Sequence, residues 1–221
     1  MKKLTKSFSS CAILIWLSIS VTPIANAAFF SAEDLITTTT QFNGFEGLPL
    51  GSLLIPLASS YTENGISVNQ IGQVAISPWG RPDTIAVTYN PPGFIGSYSW
   101  YANGGDNVYT KITEQNGSAF SAVSILTGFG NSNQGGTYLN YELLMSGTII
   151  LSGSYQQLSG TASPVTFYGG DFDQILLSAT AIPNNIGSGA YQALAIDNIK
   201  VGSISSVPAP PSWTMMMFGC P

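Results

Sequence analysis

The feature that most constrains this 221-residue chain is that, beyond its first 27 residues, almost no stretch carries a helical hydrophobic period. Short runs rich in Val, Ile, Thr, Tyr and Phe recur instead, separated by Gly, Asn, Pro and Ser, which is the pattern of antiparallel β-structure. Strands are expected at 65–71, 73–77, 84–89, 107–113, 118–128, 137–145, 148–156, 165–169, 172–180 and 191–201, with Ser146-Gly147 turning one into the next as a hairpin. A parallel sheet would need crossover helices of about a dozen residues, and none is written between these runs. The expected fold class is therefore all-β, an antiparallel two-sheet sandwich. AEDLI (32–36) is compatible with a single helical turn, and Ile175/Leu177 against Leu176/Ser178 alternate too imperfectly to assign sheet faces.

The first residues have a different character. Lys2, Lys3 and Lys6 precede the apolar run CAILIWLSISV (11–21), Thr22-Pro23 breaks it, and Ala25-Asn26-Ala27 forms a small-x-small site. That order is a secretory signal peptide, and its apolar run falls short of the roughly 20 residues that span a bilayer. Residues 1–27 are read as the signal, cleaved after Ala27, with an uncleaved amphipathic helix as the alternative. Residues 28–201 are read as the sandwich domain and 202–221 as a Pro/Ser linker with a sorting tail.

Export changes the charge balance. Three basic residues, Arg81, Lys111 and Lys200, remain against eleven carboxylates, a net charge of −8. Phosphate backbones would repel such a chain, so nucleic acid is a poor partner. Cys220 alone remains, so no intrachain disulfide framework supports the fold. The chain has no histidine, which excludes Ser-His-Asp and Cys-His nucleophilic catalysis and a His-ligated zinc site. Asp171 and Asp173, with Glu114 and Glu142, are the carboxylates on which a glycosidase pair would have to be built. Asp171 and Asp173 follow Gly169-Gly170 and are read most simply as turn residues, and no catalytic residue is assigned.

The chain ends VPAPPSWTMMMFGCP (207–221). Val207, Pro208, Pro210 and Trp213, followed by Met215, Met216 and Met217, resemble the start of the PEP-CTERM sorting signal of secreted proteins of Gram-negative bacteria. That resemblance implies handling by an exosortase-type enzyme, delivery to the cell surface or extracellular space, and association with the exopolysaccharide matrix. Two departures weaken the exosortase expectation: Ala209 stands at the family's glutamate, and only Met215–Gly219 of the apolar helix is present, with no basic stop after it. The tail is expected to be a shortened anchor, so the protein is expected to be released rather than retained in a membrane.

FNGFEGLPLGSLL (42–54) and ALAIDNIKV (193–201) resemble the first and last strands of jelly-roll sandwiches of the MAM-like and carbohydrate-binding kind. The resemblance implies a jelly-roll arrangement with adjacent terminal strands, and with Glu46 close to Asp197. Those two acids, with a backbone carbonyl or Asn64, are then placed to share a structural calcium ion through hard oxygen ligands. The alternative is that they cap turns and hydrogen-bond to backbone.

Trp79, Trp100, Tyr101 and Asp106 lie in the aromatic, amide-rich segments SPWGRPD (77–83) and GFIGSYSWYANGGDN (93–107). Stacking rings beside amides and carboxylates are what a sugar site uses, and these four residues are the candidate ligand set. Alternation puts Tyr98 and Trp100 on one strand face and Tyr101 on the other, so part of the set is expected in the core. The expectation is an exported, non-enzymatic surface or matrix protein, binding extracellular polysaccharide. A carboxylate-based polysaccharide hydrolase or lyase, and a purely structural surface protein, are the alternatives.

Overall fold

The computed structural model describes residues 27–47, 60–71, 93–96, 98–102, 109–129, 138–157, 161–180, 191–192 and 194–205. Thirteen strands and no helix occur among them: β1 (Phe29–Ser31), β2 (Ile36–Asn43), β3 (Ser60–Glu63), β4 (Ile66–Ile71), β5 (Trp100–Ala102), β6 (Tyr109–Glu114), β7 (Phe120–Phe129), β8 (Tyr138–Met145), β9 (Thr148–Gln156), β10 (Ser163–Phe172), β11 (Gln174–Thr180), β12 (Tyr191–Gln192) and β13 (Leu194–Ile204). Six form one sheet in the order β1-β10-β7-β13-β2, with β5 also on β13. Seven form the other in the order β3-β4-β6-β11-β8-β9, with β12 also on β11. Every pairing is antiparallel. The chain passes repeatedly from one sheet to the other, giving a jelly-roll-like antiparallel β-sandwich.

Tight turns fix the register of the hairpins. Ser146 and Gly147 take positive φ values of 51° and 77° between β8 and β9, and Asn64 and Gly65 take 48° and 86° between β3 and β4. Two residues in the left-handed region match the twist of the strands they join. The first turn follows the sequence expectation. The second lies where the sequence predicts only the strand after it, because SYTE (60–63) is short and polar. Expected strands 73–77 and 84–89 lie outside the described residues.

Burial alternates along the strands and builds the core between the sheets. On the seven-stranded sheet Val68, Ile112, Ile175, Leu143 and Leu151 form one inward row across β4, β6, β11, β8 and β9. Val123, Ile125, Val165, Phe167, Ile196, Ile199 and Val201 face them from the other sheet. Each such side chain, taken out of water, stabilises the fold by about 1.5–3 kcal/mol. Phe30 on β1 stacks on Tyr141 of β8, centroids 4.7 Å apart and planes 9° from parallel, joining the two sheets at one edge.

Two segments depart from the sequence expectation. Residues 32–36 form no helical turn: Ala32 and Glu33 bend, and the segment crosses the outer face of the six-stranded sheet from one edge strand to the other. The Thr166 hydroxyl donates to the Glu33 carbonyl at 2.6 Å and accepts from the Leu35 N–H at 3.1 Å, which satisfies backbone that a helix would have paired internally. The second is the end of the domain. β13 continues past residue 201, with Gly202, Ser203 and Ile204 opposite Thr39, Thr38 and Ile36, because β2 offers a ladder there.

Candidate functional site

The motif FNGFEG is a built corner. Asn43, fully buried, accepts the Phe45 N–H at 3.1 Å and donates to the Ile66 carbonyl at 3.0 Å. This holds Phe45 at a φ of 62°, a value bulky side chains avoid, with its ring in the core against Tyr61 and Trp100. Glu46 is then directed at the segment before β5, where its Oε1 accepts the Tyr98 N–H at 3.0 Å.

Asp197 reaches the same segment from β13. Its Oδ2 accepts the Ile95 N–H at 3.2 Å and its Oδ1 the Asn198 N–H at 2.7 Å. A bulge makes this possible. Asp197 stands opposite Leu126 and Lys200 opposite Ser124, so β13 carries one extra residue, with Asn198 left-handed at φ 47°. Asp197 is fully buried, and desolvation pushes its carboxyl up to about 7, with the charges of Glu46 and Glu63 adding to the rise against the two N–H bonds.

These carboxylates meet part of what a hard cation needs. They converge on one segment and repel one another, a repulsion that calcium would relieve. Among the described residues no third acid, histidine or cysteine completes a metal cluster, so any further ligands drawn from them would be neutral oxygens. Asn64 is engaged elsewhere, its amide donating to the Phe42 carbonyl at 2.8 Å.

The aromatic candidates separate. Trp100 is buried, 4% exposed, and packs on Phe45 with centroids 6.3 Å apart, so its ring is a core element and presents no face to a ligand. Tyr98 is buried with it, as their shared strand face predicts. Tyr101 pairs through its backbone with Ala195. Trp79 and Asp106 lie outside the described residues, as do Val207, Pro208, Pro210 and Trp213 of the tail and Ala25 of the cleavage site; Ala27 is the first residue described.

A different surface collects polar groups. The inward row Val68-Ile112-Ile175-Leu143-Leu151 forces the alternate row, Asn69-Lys111-Leu176-Glu142-Ser152, onto the outer face of the seven-stranded sheet. The same parity places Tyr109, Ser178, Asn140 and Ser154 in the next row, and Thr180, Tyr138 and Gln156 beyond it. Asn140 donates to Thr180 Oγ1 at 2.7 Å and accepts from Ser154 Oγ at 2.6 Å. The Ser178 hydroxyl is buried without a partner among the described residues. Lys111, Leu176, Glu142, Tyr109 and Tyr138 are half-buried, and Ser152 and Gln156 are exposed. Sequence reasoning missed this face, although Tyr109/Lys111/Thr113 and Tyr138/Asn140/Glu142 each repeat a polar or phenolic residue at period 2.

A cavity of about 210 Å³ lies on the opposite sheet, with Asp34 and Lys200 among its walls. Those charges are spent on each other through an ion pair of 2.6 Å. No family model matches the chain, and no curated protein matches it.

Proposed function

We propose that this chain is an exported, non-enzymatic protein of the cell surface or extracellular matrix, which binds carbohydrate on the outer face of its seven-stranded sheet. The observation that carries this reading is the composition of that face. Asn69, Ser152, Ser154, Gln156 and the phenols of Tyr109 and Tyr138 are half-buried or exposed in the rows around Leu176, with Lys111 and Glu142 on either side, whereas Asn140, Ser178 and Thr180 are buried within the face. Neutral hydrogen-bonding groups beside an apolar ledge match the alternating hydroxyl and C–H surfaces of a sugar ring. Export is supported by the signal-like start of the sequence.

Binding is favoured over hydrolysis or elimination because Asp173, Asp197, Glu142 and Glu114, among the described residues, are dispersed or engaged. Asp173 accepts the Ser146 N–H at 2.8 Å, Asp197 is buried on two N–H groups, and Glu142 and Glu114 lie on opposite faces of the sheet. We further propose Glu46 and Asp197 as ligands of a structural calcium that would fasten the segment before β5.

A glycan array that includes the producing cell's own exopolysaccharide tests the binding. Retention lost in Tyr109→Ala and Glu142→Ala is the expected result. No retention on any glycan refutes the reading, and release of reducing ends would make the protein a hydrolase or lyase.

A further inference from the structure

Resting on the carbohydrate reading, we infer that the outer face of the seven-stranded sheet selects an acidic glycan, one whose repeat carries a uronate carboxylate, and that Lys111 receives that carboxylate. Outside the signal-like segment the chain has three cations. Lys200 is paired with Asp34, and Arg81 lies outside the described residues. Lys111 has no ion-pair partner among the described residues, although it stands half-buried in the middle of a sheet. A lysine in the middle of a sheet face, with no ion-pair partner among the described residues, offers its ammonium to a ligand that carries the opposite charge.

Its neighbours define what that ligand looks like. Lys111 is flanked in its row by Asn69 on β4 and Leu176 on β11, and Glu142 follows on β8. Strand spacing puts the Lys111 and Glu142 backbones about 10 Å apart, close to the span of two sugar units. A ring lying over Leu176 would direct its carboxylate to the ammonium on one side. On the other side its hydroxyls would donate to Glu142, which as a carboxylate only accepts. Glu142 and the net charge of −8 oppose a free anion at this face, so the carboxylate must arrive on a hydroxyl-bearing scaffold.

The test pairs uronate oligosaccharides (galacturonate, glucuronate, mannuronate and guluronate) with their counterparts whose carboxylates have been reduced to primary alcohols. Calorimetric binding to the purified protein is the readout, with thermal melting confirming that each variant is folded. The expected result is a preference for at least one uronate over its reduced partner of roughly ten- to hundredfold. Lys111→Met should lower the affinity for the uronate towards that for its reduced partner, and Lys111→Arg should retain the preference. Equal affinity for both members of every pair, or a preference that survives Lys111→Met, overturns the inference and leaves the carbohydrate reading standing. Failure to bind either member of any pair, or any glycan on the array, removes the carbohydrate reading and this inference with it.

Discussion

Glu46 and Asp197 grip one segment from two sides. Glu46 Oε1 accepts the Tyr98 N–H at 3.0 Å, and Asp197 Oδ2 accepts the Ile95 N–H at 3.2 Å. Between those two amides lies Gly96, at φ 93°, where an added Cβ would run into Glu46 Oε1. Both the backbone and the grip depend on a missing side chain there. Gly96→Ala should lower the unfolding free energy by about 2–3 kcal/mol, combining backbone strain with displacement of the carboxylate. Gly117→Ala is the control, since Gly117 has a φ of 78° but nothing within 4 Å of its Cβ position. It should cost only about 1 kcal/mol. Equal losses in urea denaturation would mean that Glu46 holds nothing in place.

The pH dependence of stability follows from Asp197. Its carboxyl titrates near 7 in the folded chain, against an ordinary value of 3.8. Between those values the folded chain keeps a proton that the unfolded chain releases. The contribution of this group is therefore fully present below about pH 4 and lost as pH rises through 7. In EDTA the loss across that window should be on the order of 2–4 kcal/mol. Asp197→Asn should flatten it, so the difference in Tm between wild type and variant should shrink or reverse from pH 4.5 to pH 7.5. A constant difference would show that Asp197 does not titrate in this range.

Calcium should act on the same two groups. With the ion bound, the ionised form of Asp197 is favoured and its repulsion from Glu46 is offset. Millimolar calcium at pH 7.5 should raise the Tm of the wild type by several degrees. It should leave Asp197→Asn and Glu46→Gln unmoved. Identical melting in calcium and in EDTA would leave the two carboxylates as backbone acceptors alone.

Phe45 is the plug beneath this corner, fully buried against Tyr61 and Trp100. Phe45→Ala removes the ring and leaves a cavity, so it should cost about 3–5 kcal/mol, read as a fall in denaturation midpoint. Trp100 fluorescence should shift to longer wavelength as water reaches the indole. A loss below about 1 kcal/mol would mean that the corner repacks around the gap.

The fold was legible where apolar and β-branched residues mark both faces of a strand. TIILSGSYQ (148–156) coincides with β9, and the Ser146-Gly147 turn before it is where the hairpin reverses. It was illegible where an edge strand is mostly polar. ITTTTQFN (36–43) buries little beyond its last residue, so its pairing with β13 leaves no hydrophobic period in the sequence. Asn64-Gly65 did carry a hairpin signal, but the strand before it is short and polar. The approach of Glu46 to Asp197 was expected only through the resemblance of their motifs to jelly-roll strands. The outer-face rows were hidden for another reason. Asn69, Lys111, Leu176 and Glu142 become neighbours only once the register of four strands is known, and that register is set by long-range pairing.

Asn140 gives the sharpest test of the outer face as a built surface. It is fully buried, donates to Thr180 Oγ1 at 2.7 Å and accepts from Ser154 Oγ at 2.6 Å, tying β9 through β8 to β11. Asn140→Ala removes both of these hydrogen bonds from a buried position and should cost about 1–3 kcal/mol. Asn140→Asp keeps the shape but replaces a donor by an acceptor and buries a charge, so at pH 7 it should cost more, about 3–5 kcal/mol. Burial raises the pKa of the introduced carboxyl, so the variant's stability should recover as pH falls and the protonated acid can donate to Thr180 again. The measurement is the gap between the two variants in denaturation midpoint at pH 7.5 and pH 4.5. A gap that narrows on acidification supports a donor requirement at Thr180, whereas a gap independent of pH means that residue 140 contributes shape alone.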